Sequence, residues 1–106
     1  MFARHVSLQL EPTLANEFPV TFEKDILPLL RQQKGFLDEL LLVTPEKREA
    51  VAISLWETKE YAETYHREVY PQIEKIVNRY VGGVPIVKKF EPQYSTFHQA
   101  AFVAKG

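Results

Sequence analysis

The stretch from Gly35 to Glu57, GFLDELLLVTPEKREAVAISLWE, most constrains what this chain can fold into. Phe36 to Thr44 is apolar and rich in Leu. Pro45 to Glu49 is charged and opens on a turn-forming proline. Ala50 to Trp56 is apolar again, with Val51, Ile53 and Leu55 as alternating larger residues. Two apolar runs about a short charged break predict a β-hairpin. A helical pattern lies on each side of it.

Upstream, Phe2 to Leu10 alternates. Phe2, Val6, Leu8 and Leu10 share one parity, and Ala3, His5, Ser7 and Gln9 the other. This predicts a strand with one apolar face. Arg4 breaks the rule, because it falls on the apolar parity. Asn16 to Lys34 reads as a helix, with Asn16 as N-cap and Glu17 at the positive end. Phe18, Phe22, Ile26, Leu29 and Leu30 form its apolar stripe. Pro28 removes an amide donor inside that helix and predicts a kink. Gly35 suits a left-handed C-cap.

Downstream, Thr58 can cap a second helix with Tyr61, Tyr65, Val69, Ile73, Ile76, Val77 and Tyr80 on its apolar stripe. Pro71 predicts two segments, Lys59–Val69 and Pro71–Tyr80, and Gly82-Gly83 ends the second. IVKKF predicts a last strand, broken by Pro92 and resumed over Gln93 to Phe97. The apolar tail HQAAFVAKG is expected to dock on its own domain or a neighbour.

The predicted order is strand, helix, strand, strand, helix, strand. That is an α+β, ferredoxin-like βαββαβ chain with an antiparallel sheet and both helices on one face. Apolar or small residues remain for the other face: Ala50, Ala52 and Trp56, or their opposite-parity neighbours. Covering it calls for a homodimer with sheets face to face. With 106 residues the expectation is one domain over 1–106, a core over 2–90 and a C-terminal strand and tail over 91–106.

Composition narrows the function. There is no Cys, which removes disulfides and thiolate metal sites. Thirteen basic residues against 14 acidic ones, in no basic block, argue against a nucleic-acid partner. No apolar run reaches the roughly 18 residues of a membrane span, and the N-terminus lacks a signal-peptide core. A soluble, cytoplasmic protein is the expectation.

Leu27-Pro28 with Gly35-Phe36, and Ala52-Ile53-Ser54-Leu55-Trp56-Glu57, make the chain resemble the antibiotic biosynthesis monooxygenase family over residues 2–90. These proteins belong to the dimeric α/β-barrel superfamily. The resemblance implies a pocket between sheet and helices in each subunit, and a barrel of two sheets across a dimer. It also implies a small-molecule enzyme that acts on an aromatic or phenolic substrate without metal or other cofactor. Such a protein supplies a pocket, a base and hydrogen bonds, and the substrate anion reacts with oxygen. The haem-degrading branch of the superfamily carries an Asn on its first strand, a Trp on its second helix and a His ten residues further on. Those places fall at or near Val6, on Tyr65 and on Lys75 here, so haem degradation is not expected.

Candidate residues follow from chemistry and position. His66 is a candidate general base, since His titrates near neutral pH, or else a partly buried structural His. Arg4 is a candidate catalytic cation for an anionic group, or else reaches solvent or pairs with an acid such as Glu57. Trp56, Tyr65, Tyr61, Phe22 and Phe18 are candidate substrate contacts, with core packing as the alternative reading of each. Tyr80 shares the tyrosine stripe, Tyr70 reads as a rim residue and His5 as a polar residue of the uncovered face. Asp38 and Glu39 point to opposite faces and form no catalytic pair. The histidines are too dispersed for a metal site, and no Gly-rich phosphate loop exists. Two alternatives stand beside the enzyme: a non-catalytic dimeric module that binds a ligand or assembles, and an isomerase on the same barrel.

Overall fold

The computed structural model describes residues 1–96. The sheet is built from β1 (Phe2–Gln9), β2 (Phe36–Val43), β3 (Glu49–Trp56) and β4 (Ile86–Phe90) in the order β2-β3-β1-β4, with every pair antiparallel. The helical layer between β1 and β2 comprises α1 (Phe18–Thr21), a π turn (Phe22–Ile26) and α2 (Leu27–Arg31). Between β3 and β4 lie α3 (Lys59–Glu68) and α4 (Tyr70–Val77). This is the ferredoxin-like α+β fold.

The predicted hairpin forms as β2 and β3. Thr44 holds its turn: the hydroxyl accepts the Arg48 and Glu49 N–H groups at 3.1 Å each, and its own N–H donates to the Glu49 carbonyl. Lys47 takes a left-handed φ of 60° inside the turn. The Thr58 cap also forms, its Oγ1 accepting the Tyr61 N–H at 3.2 Å. Gly35 has φ 83°, and a Cβ there would sit 2.3 Å from the Tyr61 ring, so the position needs glycine on both counts.

Three expectations differ. Asn16 does not cap the first helix. The helix starts at Phe18 after a turn, and the Asn16 side chain instead accepts a hydrogen bond from Lys47 Nζ. The helix is also not one α-helix with a simple kink at Pro28. The Leu27 N–H donates to the Phe22 carbonyl, a π turn just ahead of the proline. A wide turn there relieves the clash between a proline ring and the preceding turn. Finally, no strand resumes after Phe90 up to residue 96; Phe97 and the tail HQAAFVAKG lie outside the described residues.

The strand register sorts the sheet into two faces. Rows Phe36–Trp56–Phe2, Leu41–Ala52–Val6–Val87 and Val43–Ala50–Leu8 face the helices. There they pack with Phe18, Phe22, Ile26, Leu30, Tyr65 and Ile73 in a single buried core. Rows Leu42–Val51–Ser7–Ile86 and Leu40–Ile53–His5–Lys88 face the other way. Among the described residues no helix covers them. The uncovered face is thus the opposite-parity set, and Ala50, Ala52 and Trp56 belong to the core. Leu40, Leu42, Ile86 and Phe90 are about half exposed on it, at 53%, 48%, 58% and 49%. The two catalytic candidates, Arg4 and His66, lie on the covered side.

Candidate functional site

One row of the covered face is polar: Glu39 on β2, Ser54 on β3, Arg4 on β1 and Lys89 on β4 stand side by side across the sheet. Glu39 points inward because of a β-bulge. Phe36 pairs with Trp56 while Asp38 pairs with Leu55, so Leu37 is the extra residue and the parity changes there. Beneath this row lies a cavity of about 30 Å³. That is room for about two water molecules. Arg4, Glu39, Ser54, Tyr65 and Tyr70 line its polar end. Phe18, Phe22, Ile26, Leu30, Ile73 and Val77 wall the rest, with Val6, Leu8 and Ala52 from the sheet.

Arg4 is the centre of the polar end. It is only 2% exposed, an unusual burial for a cation. Its Nη2 donates to His66 Nδ1 at 2.9 Å. The guanidinium lies 5.0 Å from the centroid of the Tyr65 ring and 4.7 Å from that of Tyr70. Two ring faces and a neutral imidazole stabilise the charge without neutralising it. Its Nε is buried with no hydrogen-bond partner, and so is the Tyr70 hydroxyl. Buried polar atoms are normally satisfied, so these two, at one end of a cavity with room for water, are open to a water or to a polar ligand atom.

The titratable groups respond to this environment. Burial raises Glu39 to about 8, only partly opposed by the hydrogen bond from the Leu40 N–H and the positive charge of Arg4. The carboxyl is therefore mostly neutral at pH 7. Burial likewise pushes the Tyr65 and Tyr70 phenols above their ordinary range. His66 is lowered by burial and by the Arg4 charge, which keeps it neutral. With Nδ1 accepting from Arg4, the ring proton sits on Nε2.

The candidates named from the sequence thus separate into groups. Arg4, Tyr65, Phe22 and Phe18 meet at the cavity. His66 does not line it; it holds Arg4 from behind and stacks on Tyr70 at 5.2 Å and 17°. Trp56, fully buried, also stands one layer back. It packs 4.8 Å from the Tyr65 ring, and its indole N–H donates to Ser54 Oγ at 2.9 Å. Tyr61 lies away from the cavity, against Gly35 and with its ring 5.8 Å from Lys34 Nζ. Tyr70 is not a rim residue: it is 7% exposed and lines the cavity. Arg4 does not pair with Glu57, and neither does it reach solvent. Glu39, Ser54 and Tyr70 are the site residues that the sequence reading did not place. The T-shaped contact of His5 with Phe90 belongs to the uncovered face.

Among the described residues no three His, Asp or Glu side chains gather as metal ligands, and no helix is long and apolar enough to cross a membrane. No protein-family model and no curated protein matches the sequence. Solved structures do match. The ActVA-Orf6 monooxygenase of Streptomyces coelicolor, in complex with nanaomycin D, superposes with a TM-score of 0.74 at 14% identity, over 89% of this chain and 88% of that one. SnoaB, a cofactor-independent oxygenase from Streptomyces nogalater, gives 0.75 at 12% identity, over 90% and 95%. NE2512, a protein of unknown function from Nitrosomonas europaea, gives 0.74 at 14%, over 90% and 91%. At these identities the likeness is one of fold. The chain has the fold of the antibiotic biosynthesis monooxygenases.

Proposed function

We propose that this protein is a cofactor-independent oxygenase of a small phenolic or related aromatic substrate, working as a homodimer. The observation that carries the reading is the buried guanidinium of Arg4, with an unpartnered Nε at the polar end of an apolar cavity. Such a group favours a phenolate over a phenol, because the anion gains a charge-assisted hydrogen bond in an apolar-walled cavity. The chemistry then needs no electron carrier beyond the substrate. Loss of the hydroxyl proton gives a phenolate, and its ring carbon forms a C–O bond to molecular oxygen. The peroxide is protonated. Loss of the proton on that carbon and cleavage of the O–O bond leave a quinone carbonyl and water. One phenol and one oxygen molecule give one quinone and one water.

The apolar walls suit an aromatic ring, but the cavity is smaller than one. A substrate enters when a wall side chain moves. Phe22 is placed for this, since it starts the π turn and lines the cavity. The small volume favours the second reading, a non-catalytic dimeric ligand-binding or assembly module of the same fold. Oxygen uptake separates the two. Dialysed protein with 1,4-dihydroxynaphthalene is expected to consume oxygen above the buffer rate. Uptake that equals buffer alone, across a panel of phenols and hydroquinones, returns the protein to the second reading.

The homodimer rests on the uncovered face, where Leu40, Leu42, Ile53 and Ile86 form an apolar surface. His5 Nδ1 is buried there without a partner. A second copy of the same sheet would cover these residues. Leu42→Glu is expected to move the mass measured by light scattering from dimer to monomer. A wild-type monomer at micromolar concentration would contradict the arrangement.

A further inference from the structure

We propose that Glu39 is the proton-transfer residue of this cavity, accepting the substrate hydroxyl proton while Arg4 holds the resulting anion. The inference rests on the oxygenase reading and names the group that reading requires. Four observations support it. First, Glu39 lines the cavity, in the same cross-sheet row as Ser54 and Arg4. Glu39 stands two strands from Arg4 in that row, with Ser54 between them, and both side chains line the same cavity. Second, a β-bulge at Leu37 is what turns Glu39 inward, and bulges commonly re-aim a side chain at a site. Third, His66, the other candidate base, has its Nδ1 occupied by Arg4 and does not reach the cavity. It is a positioning residue for Arg4. Fourth, burial brings Glu39 to about 8, which matches a base that must take a proton from a weak acid near neutral pH.

Among the described residues the charged and titratable neighbours are few, and Lys89 of β4 stands exposed at the opposite end of the row. β1 presents Arg4, α3 presents Tyr65 and α4 presents Tyr70. β3 offers the Ser54 hydroxyl. The π turn and α2 offer only Phe22, Ile26 and Leu30. On β2 itself Asp38 has the opposite parity and raises Glu39 slightly. The Leu40 N–H occupies Glu39 Oε1 at 3.2 Å. Among these, Glu39 is the one group that can accept a proton near pH 8. Ionised, it pulls the proton from the substrate hydroxyl; the same proton then passes to the peroxide oxygen, which regenerates the carboxylate.

The test pairs kinetics with a direct titration. Oxygen uptake with 1,4-dihydroxynaphthalene is measured from pH 6 to 9.5 for wild type and Glu39→Gln. In parallel, the side-chain carboxyl carbons of ¹³C-glutamate-labelled protein are followed by NMR, with Glu39→Gln assigning the signal. The proposal expects Glu39 to titrate near 8, the uptake rate to rise on the same curve, and Glu39→Gln to lose about 100-fold or more with an unchanged amide spectrum. Glu39→Gln within fivefold of wild type overturns the assignment while the oxygenase stands. Wild type without uptake removes the oxygenase reading and the proton transfer with it; where uptake is seen, a Glu39 that ionises in the ordinary range near 4.5 overturns its role.

Discussion

Trp56→Ala is expected to lower the unfolding free energy by about 3–5 kcal/mol. The indole is fully buried, with ring contacts to Phe36 at 5.6 Å and Tyr65 at 4.8 Å. Removing it opens a void between β3 and α3 that neither neighbour can fill without leaving its own place. The change also strips Ser54 Oγ of its donor. A domain of this size has roughly 5–15 kcal/mol in total, so the variant sits close to unfolding. Urea melts of wild type and variant measure it. A loss under about 1.5 kcal/mol would mean that the Trp56 site collapses easily and that the layer behind the cavity is soft. Trp56→Phe keeps most of the packing and should lose much less.

The second large effect is a fall in stability as pH rises. Glu39 titrates near 4.5 when the chain is unfolded and near 8 when it is folded. Between these values the folded state binds more protons than the unfolded one. Stability therefore decreases with increasing pH through this window, by about 1.4 kcal/mol per unit in its middle. From pH 5 to pH 9 the accumulated loss from this group reaches up to about 4 kcal/mol. His66 acts in the opposite sense. Its folded value is lowered, so its share of stability grows as pH rises toward 6.5 and is constant above that. Comparing pH 7 with pH 9 isolates Glu39, with an expected loss of about 1.4 kcal/mol. Glu39→Gln carries no titrating group and should flatten that segment. Urea unfolding at the two pH values decides: equal slopes in wild type and variant would remove the partly buried carboxyl of Glu39 from the account.

Much of this architecture could be read from residue order, and the exceptions have identifiable causes. The hairpin was legible because charged Pro45–Glu49 separates two apolar runs. Arg4 was legible because it breaks the alternation of β1. Phe18 and Phe22 were legible because their stripe has helical spacing. Glu39 was not. Leu40, Leu41 and Leu42 give no parity signal, and the bulge at Leu37 shifts the phase without a glycine to mark it. A strand read without the bulge puts Asp38 inward instead. Tyr70 was misplaced for a related reason. Nine residues of unbroken helix set it opposite Tyr61, but the chain breaks at Val69, with φ −119°, and restarts in a new phase. Asn16 has the chemistry of a cap, yet the turn before Phe18 places it one residue too early. Local propensity lost to tertiary placement in each case.

The hydrogen bond between Arg4 and His66 could not be read from sequence either. It joins residues 62 positions apart and depends on how α3 docks on β1. In the function proposed above, Arg4 is the cation that holds an anion and His66 is its support. A buried, singly supported cation contributes little to stability, and replacement by an apolar residue of similar length is often neutral or stabilising. Arg4→Met should therefore remain folded, which makes it a clean probe of function.

The decisive measurement is oxygen uptake with 1,4-dihydroxynaphthalene, for wild type and Arg4→Met side by side in buffer containing a chelator. Wild type is expected to consume oxygen well above the buffer rate, and Arg4→Met to lose about 100-fold or more, as a site does when it loses its principal stabilising donor. Catalysed uptake that survives in folded Arg4→Met would contradict the account, because the oxidation would then owe nothing to the buried guanidinium at the cavity.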